Sequence, residues 1–196
     1  MFNLRSLRMG TIDTSEFRKK AKIIFEGQPW IIVENDFVKP GKGQAFNRTK
    51  IKNLLTGRVL DKTFKSGETF EEADISTVSM QYLYSDGTRY SFMNTQNYEQ
   101  IEISGEVMDD AKDWILENAV CEVMFWGEKV IGVVPPTFVD LIVTYTEPAV
   151  RGDTANNVTK KAKLETGAEV NVPFFIESGM KLKIDTRTGE YLQRST

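Results

Sequence analysis

The sequence predicts a mainly β protein built from three small barrels, and three observations predict it. Short runs rich in Val, Ile, Phe and Tyr recur along the whole chain, and residues that favour turns separate them. Fourteen glycines and six prolines punctuate those runs. A length of 196 residues with 40% hydrophobic content suits one medium domain or two to three small ones. Turn-marked spacing favours the small barrels, with expected boundaries at 1–67, 68–134 and 135–196.

In the first part, Ala21–Phe25 and Trp30–Val33 are β-prone runs joined by the turn-forming Glu26-Gly27-Gln28-Pro29, which predicts a hairpin. A third run containing Phe37-Val38 leads into Lys39-Pro40-Gly41-Lys42-Gly43-Gln44, and Ala45–Ile51 leads away with alternating character. A second hairpin is expected there, with Lys42 at its tip. Leu54–Leu60 continues the barrel, and Ser66-Gly67-Glu68 marks its end.

The second part has strand-like runs at Ile75–Leu83, Tyr90–Met93, Glu99–Ile103, Val120–Trp126 and Lys129–Val134. Between the third and fourth, residues 108–116 place Met108, Ala111 and Ile115 on one helical face, with Trp114 left open. The acids of that segment sit early, where a helix dipole favours them. Five strands with a helix after the third is the order of an OB-fold. After Pro135-Pro136, runs at Phe138–Tyr145, Ala162–Leu164, Glu169–Pro173, Lys181–Ile184 and Glu190–Leu192 predict a second OB-like barrel. The likeness between the two lies in pattern and not in repeated sequence.

Charge is divided unevenly along the chain. Residues 39–65 carry eight basic side chains (Lys39, Lys42, Arg48, Lys50, Lys52, Arg58, Lys62 and Lys65) against the single acid Asp61. Residues 66–149 carry sixteen acids against three bases, within an overall charge of −3. Basic residues interleaved with glycines and apolar β positions suit contact with a phosphate backbone, the alternative being a solvated face. The acidic middle would be repelled by RNA unless it faces solvent or protein.

There is no histidine, which removes the commonest general base and metal ligand and weakens every hydrolase reading. The carboxylates Asp109, Asp110 and Asp113 are read as a solvated helix start in preference to a catalytic group. Cys121 is the one cysteine, so no intramolecular disulfide or cysteine zinc site forms, and its apolar surroundings predict a buried thiol. No signal-like start and no run of ~18 apolar residues occurs, so a soluble, cytoplasmic protein with no membrane association is expected.

Gly41 and Gly43 leave the backbone around Lys42 free to turn and the lysine clear of neighbouring side chains. A phosphate-binding P-loop does not fit, because Gln44 follows Gly43 where that motif needs a helix start. The stretch from Phe37 to Phe46 closely resembles the first-domain loop of the bacterial elongation factor P family. The resemblance extends through Leu54-Leu55-Thr56-Gly57, residues 62–66, residues 82–87, residues 135–139 and the run from Lys161 to Gly179, so that it covers roughly residues 14 to 194.

That resemblance implies a KOW/SH3-like first domain and two OB domains in an L-shaped, tRNA-like arrangement. It implies a non-enzymatic monomer that contacts both ribosomal subunits between the P and E sites and relieves stalling at consecutive prolines. Lys42 corresponds to the family's modified lysine, which would reach toward the CCA end of P-site peptidyl-tRNA, and Pro40, Gly41 and Gly43 would shape the tip. The resemblance also implies a lysine-modifying enzyme as partner, with an adduct of the β-lysylation type and no other cofactor. Arg48, Lys50 and Lys52 are candidate RNA contacts by charge, or else solvated strand residues.

Gly152, Asp153 and Thr154 match a family loop that approaches the small subunit, although by themselves they make a good turn. Tyr191 and Arg194 suit stacking and phosphate pairing, with core packing and solvation as the alternative. The stretch Met1–Ile12 looks longer than a typical family start. Three competing readings are a paralogue with other targets, a carboxylate enzyme and a generic single-strand binder. The loop speaks against the first. The third requires aromatics and bases together on a barrel face, which the acidic central part does not provide.

Overall fold

The computed structural model describes residues 10–147 and 159–195. In the first module, β1 (Thr11–Asp13) pairs with β6 (Thr69–Glu71), and β2 (Lys22–Phe25), β3 (Gln28–Val38), β4 (Phe46–Asn53) and β5 (Val59–Lys65) form a consecutive antiparallel sheet. Alternation builds the core. Asn47, Thr49, Ile51 and Asn53 of β4 turn inward, while Arg48 and Lys52 face solvent. Ile23, Ile32 and Ile51 are completely buried, and Phe17, Phe64 and Phe70 pack around them with ring centroids 5.0 to 5.7 Å apart.

The first hairpin is tighter than the sequence predicts. Phe25 pairs with Gln28, so the turn has two residues, Glu26 and Gly27, with φ of 52° and 72°. Positive φ at both central residues is the type I′ geometry that matches strand twist. Gln28 and Pro29 therefore belong to β3. The separate run expected around Phe37-Val38 is likewise the far end of β3, continuous past an irregularity between Ile32 and Glu34. An extra residue there bends the strand without ending it, so one long strand replaces two short ones.

The central sheet comprises β7 (Ile75–Ser85), β8 (Arg89–Asn94), β9 (Gln100–Ser104), β10 (Val120–Trp126) and β11 (Lys129–Val134), in the order β11-β10-β7-β8-β9. The third comprises β12 (Phe138–Thr146), β13 (Thr159–Leu164), β14 (Glu169–Pro173), β15 (Lys181–Asp185) and β16 (Glu190–Arg194), in the order β14-β13-β12-β15-β16. In both, the first strand is central and pairs with the second and the fourth. That shared order is OB-fold topology, and it makes the expected mainly β class concrete.

The predicted single helix over 108–116 is two short pieces. α1 (Gly105–Met108) ends where Asp109 adopts φ 47°, and a 3₁₀ segment (Asp109–Asp113) follows. A non-glycine residue at positive φ cannot continue a right-handed helix, so the axis breaks there. The apolar face is as the spacing predicts: Met108, Ala111 and Ile115 are buried. Cys121 is also buried, and burial pushes its thiol pKa up to about 11.

Candidate functional site

β3 and β4 run together up to the pair Val38–Phe46, and the seven residues Lys39–Ala45 bridge them as a loop. Gly41, Lys42, Gly43 and Gln44 are exposed. Gly43 has φ +111°, a region that a side chain rarely adopts, so the backbone there requires glycine. A β-carbon at Gly41 would meet nothing within 4 Å, so Gly41 contributes open space and not a forced turn. The far end of the loop is anchored by the Ser66 N–H, which donates to the Ala45 carbonyl at 3.0 Å. Lys42 makes no hydrogen bond or ion pair among the described residues. The result is a cation presented on a short loop at the end of the β3–β4 hairpin, an arm whose strand β4 is backed by β5 up to the pair Phe46–Lys65.

Buried polar groups stiffen that arm. Thr49 Oγ1 donates to Asn35 Oδ1 at 2.8 Å, and Asn35 Nδ2 donates to Asn47 Oδ1 and to the Phe17 carbonyl, each at 3.2 Å. Asn47 Nδ2 is buried without a partner among the described residues. Sequence reasoning missed this network, since Asn and Thr at alternate positions of a charged strand look like solvated residues. Phe37, near the far end of β3 and close to the loop, is 58% exposed.

Arg48, Lys50 and Lys52 share the outward side of β4, but they are not a uniformly basic strip. Lys50 Nζ lies 3.3 Å from Glu34 Oε2, and Asp61 of β5 is its other cross-strand neighbour. Arg48 stands opposite Asp36 and over the Phe46 ring at 5.7 Å. Lys62 turns inward over Phe25 at 5.2 Å. Counting charges within residues 39–65 overlooks Glu34 and Asp36, which antiparallel pairing returns to the same face. Lys39, Lys42, Lys52, Arg58 and Lys65 remain exposed with no side-chain hydrogen bond or ion pair among the described residues.

In the third barrel Tyr191 packs against the core, while Arg194 is exposed with its guanidinium 5.9 Å from the Phe175 ring centroid. Gly152, Asp153 and Thr154 lie outside the described residues. Among the described residues no group of three or more His, Cys, Asp or Glu side chains could hold a metal ion, and no helix is long and apolar enough to cross a membrane.

Comparison with known proteins agrees over most of the chain. Family models match in succession: the elongation factor P KOW-like domain over residues 13–70, the elongation factor P OB domain over 75–133 and the elongation factor P C-terminal domain over 139–194. A Magnetococcus marinus protein described as elongation factor P is 49% identical over 181 residues, covering 92% of this chain and 97% of that relative.

Two solved structures share the fold at low identity. One is the eukaryotic translation initiation factor 5A from Methanococcus jannaschii, 20% identical with a TM-score of 0.51 over 63% of this chain and 95% of its own. The other is a translation initiation factor of the eIF-5A family from Naegleria fowleri, 15% identical with a TM-score of 0.50 over 64% and 97%. With a KOW-like module, two OB-ordered sheets and a close relative along nearly its full length, the chain belongs to the elongation factor P family of translation elongation factors.

Proposed function

We propose that the protein binds the ribosome between the P and E sites and speeds peptide-bond formation at consecutive prolines, with Lys42 directed toward the CCA end of P-site peptidyl-tRNA. The observation that carries this reading is the loop itself: an exposed lysine at the end of a braced β arm, with a glycine-only backbone beside it. Proline restricts the backbone geometry available to a peptidyl donor or acceptor. A cation that orders the tRNA end recovers rate by positioning, without bond-making by the protein. The protein is in this reading a monomeric, cytoplasmic, non-enzymatic factor.

A lysine side chain alone limits the reach of the arm, and a covalent adduct of the β-lysylation type on Lys42, added by a modifying enzyme, would lengthen it. The test is a reconstituted synthesis time course of a triple-proline peptide with natively purified protein or its Lys42→Ala variant. Intact mass is recorded on the same samples. A rate gain lost in the variant supports the reading, and added mass on Lys42 identifies the adduct. No gain from the natively modified protein overturns it.

A further inference from the structure

The third barrel carries a feature that the Lys42 loop does not use. Phe138 opens β12 and remains 47% exposed. Lys183 Nζ stands 5.5 Å and Arg187 Cζ 5.8 Å from its ring centroid. Arg187 is held in place: its Nε and Nη2 donate to the two carboxylate oxygens of the buried Asp185, at 3.0 and 2.5 Å. The turn that carries Arg187 is tied to the strand that carries Phe138, because Thr186 Oγ1 donates to the Pro136 carbonyl at 2.8 Å and the Thr186 N–H to the Thr137 carbonyl at 3.0 Å.

These contacts leave a fixed arrangement in which an exposed aromatic ring and a planar guanidinium are presented together. Arg187 is 66% exposed, and its Nη1 has no partner among the described residues. Of the nearby acids, Asp185 is occupied by Arg187, Asp140 lies across the strand pair from Lys183, and Glu190, opposite Asp185 on β16, accepts a hydrogen bond from Thr188 Oγ1. An exposed aromatic set beside two cations on an OB barrel is matched to bases stacking while phosphates meet the charges. Aromatics and bases together on a barrel face are what the acidic central barrel lacks.

We propose that Phe138, Lys183 and Arg187 form a stacking site for unpaired RNA bases on the third barrel, independent of the Lys42 loop. Phe138 supplies the stacking surface. Arg187, pre-set by Asp185, offers Nη1 to a phosphate or base edge, and Lys183 supplies the second charge.

The test uses the full chain and a fluorescein-labelled oligouridine of about 12 nucleotides, within the span that a single OB fold covers. Fluorescence anisotropy is followed against protein concentration and salt, with an RNA duplex of equal length as comparison. Phe138→Ala and Phe138→Leu are expected to weaken single-strand binding about tenfold, and Phe138→Tyr to retain it, because a ring and not mere apolar bulk is required. Arg187→Gln is expected to lower the salt dependence by about one counterion. Thermal melting of each variant shows that the barrel is intact. Absence of single-strand binding, equal affinity for the duplex, or unaltered binding by both Phe138→Ala and Phe138→Leu would overturn the proposal.

Discussion

The Trp114 indole lies 3.5 Å from the point that a β-carbon on Gly189 would occupy. Trp114 follows the 3₁₀ segment of the central part, and Gly189, with φ 70°, turns the chain into β16 of the third barrel. The indole also packs against the apolar core of that barrel. A residue whose place on the amphipathic face was open in the sequence is thus a packing element for the barrel that follows.

Trp114→Ala is expected to cost about 2 kcal/mol in a urea unfolding titration, below the range for a fully buried aromatic because the side chain is half-buried. Gly189→Ala is expected to cost about 1 kcal/mol, arising from the left-handed backbone and not from a clash, since 3.5 Å is an ordinary contact distance. A larger loss in Gly189→Ala than in Trp114→Ala would contradict this division.

At the first hairpin, Glu26 occupies a left-handed position that asparagine tolerates better. Glu26→Asn is expected to raise stability by about 0.5 kcal/mol, and Gly27→Ala to lower it by about 1 kcal/mol. Paired denaturant midpoints measure both, and a destabilised Glu26→Asn would argue against the two-residue turn.

Asn35 links Thr49, Asn47 and the Phe17 carbonyl inside the arm. Asn35→Ala strands these partners, and a loss of about 2 kcal/mol is expected. Hydrogen exchange should reveal faster opening in β3 and β4 than in the third barrel of the same variant, whereas uniform acceleration would mean that the network does not brace the arm specifically.

Hydrogen bonding from Arg187 holds the Asp185 carboxyl below its usual range. A lowered native pKa contributes stability above the unfolded value of about 3.9, and that contribution is lost as pH falls through the native value. Asp185→Asn should therefore be less stable than the parent at neutral pH, with the gap closing below about pH 4. Urea midpoints across the acid range check the sign, and a gap that widens on acidification would refute it.

With its thiol at about 11, Cys121 holds on the order of a thousandth of its population as thiolate at pH 8. An aromatic disulfide reagent should label it only through opening of the fold, so the labelling rate should rise with urea as the protein destabilises. Rapid labelling of the native protein would show that the thiol is accessible.

Much of the architecture was legible because strand residues alternate and turn residues interrupt them. The five runs of each OB part match β7–β11 and β12–β16 to within a few residues, as shown by Val120–Trp126 and Glu169–Pro173. The Lys42 hairpin was legible for the same reason, with glycines on both sides of a lysine between two β runs. Illegible features depend on backbone geometry or on partners distant in sequence. Nothing in the composition of residues 108–116 announces that Asp109 would take φ 47° and break the helix. Summing charge over residues 39–65 could not include Glu34 and Asp36, which the register of β3 on β4 sets beside Lys50 and Arg48.

The sequence by itself determined a mainly β chain with two OB-ordered parts and a lysine at a loop tip, since periodicity, turn chemistry and glycine placement are local properties. Only the tertiary structure decided which charges are neutralised, which polar groups are buried beneath the arm, and that Phe138 meets Lys183 and Arg187 across strands far apart in the chain. Those outcomes follow from register and burial, where a one-residue shift reverses which side chains face the core and which face water.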